Sequence, residues 1–321
     1  MKHITIIVAG SLHDHALRRI GELFDLHRVE RAAIDCLPPG LAHRVRGIAT
    51  QAGVDAAFME ALPNLEIIAA FGVGYEAIDA RHAAARGVAV TNTPDPTTEE
   101  VADVAIGLLL NAVRELPRAE AWLRDGRWPR EGPYPLSATT LRGRRAGIFG
   151  LGRIGQAVAR RLQGFGIPVA YHNRNRIPDS PLVWYPSLKA LASAVDILIC
   201  AAPGGPPTER AIDADVLEAL GPDGFLVNVG RGSTVDEEAL GAALETGVIR
   251  GAGLDVFARE PHVPTALQTR RHVSLLPHVG TASVHTRRLM ADLVVDNLAA
   301  WFSDGRLLTP VPEAHCSRRG S

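Results

Sequence analysis

The sequence predicts an α/β protein of two domains, each a doubly wound parallel sheet covered by helices. Three observations predict it. Short apolar runs alternate with amphipathic segments along nearly the whole chain, the order that parallel sheets with crossover helices require. A length of 321 residues favours two cores over one. The proline-broken stretch PDPTTEE, residues 94–100, interrupts the alternation and divides it into two series.

In the first series HITIIVA, GIAT, LEIIAAF and VAVTNT read as strands, with polar helical stretches between them such as HALRRIGELFDL. In PDPTTEE the prolines stop that series. Thr97 and Glu100 have the spacing of a capping box ahead of the apolar run VADVAIGLLLNAV. The Pro/Gly-rich loop DGRWPREGPYPLS then leads into RAGIF, the first strand of the second series. PVAYHN, VDILICAAP, GFLVNVG, GAGLDVF and HVSLLP follow. These six runs are mostly continuous in apolar residues, as a sheet buried on both faces requires. The long amphipathic stretch TASVHTRRLMADLVVDNLAAWF is expected to return the chain to the first domain, whose sheet the C-terminal segment would complete. The expected domains are residues 1–97 plus 286–321, and residues 98–285.

Composition narrows the function. A net charge of −1 gives no general attraction for nucleic acid or an acidic membrane, and the Arg318-Arg319 pair is too short to change that. Cys36, Cys200 and Cys316 share no CxxC spacing, so neither a zinc site nor a disulfide framework is expected. That usage fits a reducing cytoplasm. The opening run MKHITIIVAG is too short for a signal core and reads as a strand, and no run reaches the length of a membrane span.

GLGRIG, Gly150 to Gly155, follows the strand RAGIF and opens the helical stretch IGQAVARRLQGF. In that context it reads as a dinucleotide turn. Gly150 makes the tight turn, Gly152 lets a pyrophosphate approach the backbone, and Gly155 lets helix and strand pack closely, with the helix N-terminus facing the anion. Such a unit normally places an acid on the adenosine ribose about 20 residues on. Here His172 or Asn173 stands at that place, and Arg174 and Arg176 follow. Without a carboxylate to repel it, a 2′-phosphate can instead take charge-assisted hydrogen bonds from arginine. The expected cofactor is NADP, used as NADPH.

The last three strands each run into a polar residue: Arg231 after FLVNVG, Asp255 to Glu260 after GAGLDVF, and His278 after VSLLP. Ligands of open α/β sheets lie beyond such strand ends. Reduction of a 2-keto acid needs a proton at the developing alkoxide, and histidine is the natural donor near neutral pH. Glu260 would orient the His278 ring and favour its charged form. Arg231 could clamp a carboxylate with its planar fork and polarise the carbonyl.

GLGRIG, NVGRGSTVDEEAL, GAGLDVFAREP and LLPHVGTAS, in that order, resemble the successive signature blocks of the D-isomer-specific 2-hydroxyacid dehydrogenases over nearly the whole chain. The resemblance implies two Rossmann-like or flavodoxin-like domains with a cleft between them, the first domain binding substrate and the second NADP. It makes Arg231 the substrate-binding arginine and Glu260 with His278 the acid–base pair. Asp255 would hold the nicotinamide carboxamide. Leu151, Arg153, Ile154, Asn173, Asn175, Ala202, Pro203, Val229 and Gly230 would line the cofactor with the residues already named. FGVGYEAID is similar to the family's substrate loop, with the amides of Val73 and Gly74 on the carboxylate and Ala49, Thr50 and Gln51 as a second lip. No metal is implied.

Within the family, the arginines after the second strand and the ending ADLVVDNLAAWFSDGRLLTPV look most like the NADPH-dependent glyoxylate/hydroxypyruvate reductases, a look shared by plant hydroxyphenylpyruvate reductases. The products would be glycolate and D-glycerate. A homodimer through the nucleotide domain is implied, with the helix after PDPTTEE and the arm carrying Trp122 and Trp128 contributing. Two alternatives stay open: a larger or aromatic 2-keto acid, and a non-catalytic NADP sensor. A sensor would not need Arg231, Glu260 and His278 together. Phosphite or formate oxidation is disfavoured by the expected NADP and the reductase-like blocks.

Overall fold

The computed structural model describes residues 1–270 and 272–314. Cys316 and the Arg318-Arg319 pair lie outside the described residues. The chain divides into two compact units: Met1–Thr97 with the described part of Ala282–Ser321, and Thr98–Thr281. The second boundary falls at Thr281 rather than at 285.

The first unit begins with β1 (Thr5–Ala9), α1 (Asp14–Leu23), β2 (Asp25–Val29), β3 (Val45–Thr50), α2 (Ala56–Glu60), β4 (Ile67–Ala70), α3 (Ala80–Ala85) and β5 (Ala89–Thr91). Its strands form one parallel sheet in the order β2-β1-β3-β4-β5. The stretch expected to stay helical through Leu26 leaves the helix at Phe24, whose backbone is extended, and β2 then pairs Asp25 with Thr5. Asp55 and Asp79 start α2 and α3 by accepting the amides of Phe58 and His82, which satisfies donors that the first turn leaves open.

The second unit carries α4 (Thr98–Arg114), α5 (Leu116–Arg124), α6 (Arg127–Glu131), β6 (Ala146–Phe149), α7 (Arg153–Gly164), β7 (Val169–His172), β8 (Val183–Trp184), α8 (Leu188–Ala192), β9 (Ile197–Cys200), α9 (Ala214–Leu220), β10 (Phe225–Asn228), α10 (Glu237–Thr246), β11 (Gly251–Leu254), α11 (Thr265–Gln268) and β12 (Val273–Leu275). Its parallel sheet has the order β12-β11-β10-β9-β6-β7-β8. Beside the six expected strands stands the two-residue edge strand β8. The Thr97 hydroxyl donates to the Pro94 carbonyl at 2.9 Å.

Strand side chains alternate between two cores, as the period of two demands. Ile148, Ile197, Ile199 and Val227 pack with α4 and α7, while Leu198, Cys200, Leu226 and Leu254 pack with α8, α9 and α10. The chain order turns at β6: strands after it add first towards β8, then from β9 towards β12. A crevice at the carboxyl ends of β6 and β9 follows from that reversal.

The last helix, α12 (Val284–Asp304), starts at Ser283, which caps Thr286. It returns to the first unit, where Met290, Val294, Leu298, Trp301 and Phe302 share a core with Ile6, Val8, Ala49 and Ile67. The segment beyond it joins the sheet as a short antiparallel bridge, Thr91 to Pro310, with Val311 N donating to Val90 O.

Candidate active site

In the second unit the functional candidates come from strands whose carboxyl ends lie side by side along one edge. The glycine turn follows β6. Gly150 has φ +94°, and a Cβ there would lie 2.6 Å from the Ala202 backbone, while a Cβ on Gly155 would lie 2.3 Å from the Gly150 carbonyl oxygen. Both glycines are therefore required by the protein's own packing. Gly152 differs: its added Cβ would meet nothing within 4 Å. It is exposed, it is the N-cap of α7, and it offers no capping side chain. The first amides of a 12-residue helix thus face a space that packing leaves open, which suits a pyrophosphate.

The turn is tied to the end of β7. Asn173 Oδ1 accepts the Leu151 amide at 2.7 Å, so Leu151 supports the turn from a buried position. Arg153 is exposed and Ile154 half-buried on the first turn of α7. His172 is occupied elsewhere, with Nδ1 on the Tyr185 carbonyl at 2.8 Å and its ring stacked on Phe149. Of the two positions considered for a ribose-reading acid, Asn173 is the one beside the turn. Arg174, Asn175 and Arg176 are exposed just beyond it, and neither arginine has an ion-pair partner among the described residues. The positive charge at this strand end is uncompensated.

Between this half and the next, Ala202 follows β9, buried, with Pro203 exposed beside it. Ala202 is wedged between two loops, since a Cβ on Gly230 would lie 2.5 Å from its carbonyl oxygen. Val229 and Gly230 are buried at the end of β10. Arg231 follows, half-buried, with Nη1 donating to Gly230 O at 2.7 Å. Its loop is fixed by Asn228, whose Oδ1 accepts Gly230 N at 3.0 Å and whose Nδ2 donates to Arg231 O at 3.0 Å. A Cβ on Gly232 would lie 1.8 Å from the Phe257 carbonyl carbon. That approach packs the Arg231 loop against the loop carrying Glu260.

Glu260 and His278, from the ends of β11 and β12, form a pair: Nδ1 lies 2.8 Å from Oε2. The other Glu260 oxygen accepts Phe257 N at 3.1 Å. With Nδ1–H donating to the carboxylate, Nε2 is the nitrogen left to exchange a proton. His278 has φ +54°, a left-handed backbone that costs a residue with a Cβ about 1–2 kcal/mol.

Asp255 holds it there. Its carbonyl accepts His278 N, and its two carboxylate oxygens accept Val279 N and Gly280 N, all at 2.8 Å. Burial pushes the Asp255 carboxyl up, against the opposing pull of those two amides. Asp255 was expected on the nicotinamide carboxamide. It is 2% exposed, and both of its oxygens already hold the backbone of the His278 turn.

In the first unit, Val73 and Gly74 follow β4 with amides that donate to no acceptor among the described residues. Two adjacent amides without partners can donate to an anion. Ala49 and Thr50 differ from expectation. Both are fully buried, and the Thr50 hydroxyl is shared among Ala9 O, Ala52 O and Ala52 N. Their side chains offer no surface to a ligand, and the exposed residues of that lip are Gln51 and Ala52. Asn228 was missed, although an asparagine inside the apolar run FLVNVG is a signal: buried amides are retained where they tie a loop.

Residues 106–280 match the family described as D-isomer specific 2-hydroxyacid dehydrogenase, NAD binding domain. A solved NADPH-dependent glyoxylate/hydroxypyruvate reductase from Sinorhizobium meliloti, in complex with NADP and malonate, is 55% identical, with a TM-score of 0.96 over 99% of this chain and 100% of that one. A hydroxyphenylpyruvate reductase from Plectranthus scutellarioides is 48% identical over 82% of this chain and 83% of its own. A glyoxylate/hydroxypyruvate reductase of Arabidopsis thaliana is 48% identical over 81% and 82%. With two parallel doubly wound sheets, a dinucleotide turn and a paired histidine on adjoining strand ends, the chain belongs to the D-isomer-specific 2-hydroxyacid dehydrogenase family.

Proposed function

We propose that the protein is an NADPH-dependent reductase of small 2-keto acids, converting glyoxylate to glycolate and hydroxypyruvate to D-glycerate. The observation that carries this reading is the Glu260–His278 pair at 2.8 Å, on the same sheet edge as Arg231 and the open Gly152 turn. The second unit is the nucleotide domain in this reading and the first unit the substrate domain. Arg174 and Arg176, uncompensated at the end of β7, favour a 2′-phosphate over a bare ribose.

When bound, the reduced nicotinamide supplies the hydride to the keto carbon. In the first unit the amides of Val73 and Gly74 are the carboxylate-binding groups; in the second, Arg231 is the group that polarises the carbonyl. His278 delivers its Nε2 proton to the oxygen as it becomes an alkoxide. Glu260 holds the ring through Nδ1. Asp255 keeps the turn beneath His278 in place. The complete set of Arg231, Glu260 and His278 favours turnover over mere sensing of NADP.

The relative from Plectranthus supports a second reading on substrate size, hydroxyphenylpyruvate, at the same 48% identity as the Arabidopsis enzyme. A homodimer through the second unit completes the proposal, supported by large apolar side chains left exposed on one arm, Leu116, Leu123, Trp128 and Leu136. No helix among the described residues is long and apolar enough to cross a membrane, and the free thiols of Cys36 and Cys200 fit a cytoplasmic setting.

The test is a spectrophotometric assay of glyoxylate, hydroxypyruvate and hydroxyphenylpyruvate with NADPH and NADH in parallel. Fast NADPH oxidation with the two small acids is expected. Preference for the aromatic acid would move the reading to the second substrate, and preference for NADH would reject the role given to the arginines.

A further inference from the structure

The amides of Val73 and Gly74 can hold a carboxylate only if both N–H bonds are aimed, and the first unit contains a device that aims them. A peptide group is planar and trans, so the carbonyl of one residue and the N–H of the next point in opposite directions. The carbonyl preceding Val73 N–H is that of Gly72, and it accepts the Thr93 amide at 2.8 Å. The carbonyl preceding Gly74 N–H is that of Val73, and it accepts Nδ2 of Asn92 at 2.7 Å. Both carbonyls are thus drawn towards the residues that follow β5. Both N–H bonds must then face away from it, side by side. Gly72 N is held as well, on Thr93 Oγ1 at 3.0 Å.

Asn92 is itself fixed by the chain end. Its carbonyl accepts the Thr309 hydroxyl at 2.6 Å, and its amide donates to Thr309 O at 3.2 Å. Thr309 Oγ1 accepts Nδ2 of Asn297, a residue of α12 with no solvent exposure. Asn297 Oδ1 accepts the amides of both Leu308 and Thr309. A continuous polar chain therefore runs Asn297, Thr309, Asn92, Val73 through the first unit. On the other side of the loop, Tyr75 donates its hydroxyl to Glu313 at 3.0 Å.

We propose that Asn92 is a positioning residue for substrate carboxylate binding, aiming the Gly74 amide through the Val73 carbonyl and braced by Thr309 and Asn297. This rests on the reading of Val73 and Gly74 as the carboxylate-binding amides. The isosteric variant Asn92→Asp tests it, because an ionised carboxylate cannot donate to the Val73 carbonyl. The expected result is a rise of roughly tenfold or more in KM for the keto acid, the scale of one lost donor with its partner left unsatisfied. The KM for NADPH and kcat should stay within about threefold, as for lost uniform binding. Thr309→Val removes the brace and should raise the same KM by a smaller factor, which keeps the idea testable if Asn92→Asp folds poorly. Asn92→Ser, which restores a donor, should recover part of the loss.

Hydrogen exchange of the wild-type protein with NADP, with and without oxamate, separates the two ideas. Protection of the Phe71–Tyr75 segment by oxamate supports the underlying reading. Given that protection, an unchanged keto-acid KM in both variants overturns the role of Asn92 alone. A loss of thermal stability without any KM change also overturns it, because it marks Asn92 as merely structural. No protection in the wild type overturns the carboxylate reading and the proposal with it.

Discussion

With the Glu260 carboxylate 2.8 Å from Nδ1, His278 has one nitrogen, Nε2, for exchanging a proton. Asparagine at 278 could keep a hydrogen bond to Glu260 but could not donate an acidic proton. His278→Asn should therefore cut kcat by about 100-fold or more, the scale of general acid catalysis, while leaving NADPH affinity nearly intact. Stopped-flow turnover and cofactor titration measure the two separately. Unchanged turnover would remove His278 from the chemistry. Arg174 carries a different prediction. It touches no acid among the described residues, so Arg174→Ala has no internal charge to strand. It should weaken NADPH binding by about tenfold or more, the scale of a charge-assisted hydrogen bond, with little change for NADH. Equal losses for both cofactors would assign the 2′-phosphate to another group. The residues most legible in the sequence were those with side chains of unusual chemistry at strand ends: Arg231, Glu260 and His278. Asn92 and Thr93 were not legible, because their importance lies in which carbonyls they meet across the sheet, and local sequence does not encode that.

At the scale of elements, both strands that sequence reading missed are edges. β2 reads DLHRV and β8 is only Val-Trp. An edge strand has one neighbour and needs no continuous apolar run, and polar side chains there discourage pairing with other chains. Central strands such as ILIC and FLVN are buried throughout and announce themselves. The helix starts obey the same logic of local satisfaction. Asp236 caps α10 through Ala239 N at 3.2 Å and also meets Arg210. The hydrogen bond from Arg210 is the largest cause that lowers the Asp236 carboxyl below its ordinary value. A carboxyl lowered by folding contributes stability above its unfolded pKa, about 3.9, and loses it as pH falls through the lower folded value. Asp236→Asn keeps a helix cap but gives up the ion pair with Arg210, so neutral stability should fall, by about 1 kcal/mol or less. The variant should flatten the acid limb of a stability curve below about pH 4. Urea titrations from pH 7 to pH 3 check this, and an unaltered acid limb would assign that limb to other carboxyls.

For the molecule as a whole, the proposed dimer makes a prediction that no single site does. Leu136 is 95% exposed and Trp128 58% exposed, and burying a large apolar side chain is worth about 1.5–3 kcal/mol. The double variant Trp128→Ser, Leu136→Asp should shift light-scattering mass towards the monomer, and an unchanged mass would exclude this arm from the interface. The two-sheet architecture was legible because alternation and the proline break are global patterns. The boundary after His278 was less so: the expected break at 285 falls inside α12, which lies wholly in the first unit. The return of α12 also bears on how the protein is made. The second unit is one unbroken stretch of chain and can fold while the ribosome is still working. The first unit is emitted first, yet on the face of Ile6, Val8 and Ile67 only α1 is in place until Met290 to Phe302 have been synthesised. Its oldest residues must wait for nearly its newest. A chain released early, after Thr281, would carry a complete second unit and a sheet with one face covered only in part, by α1, prone to capture by chaperones.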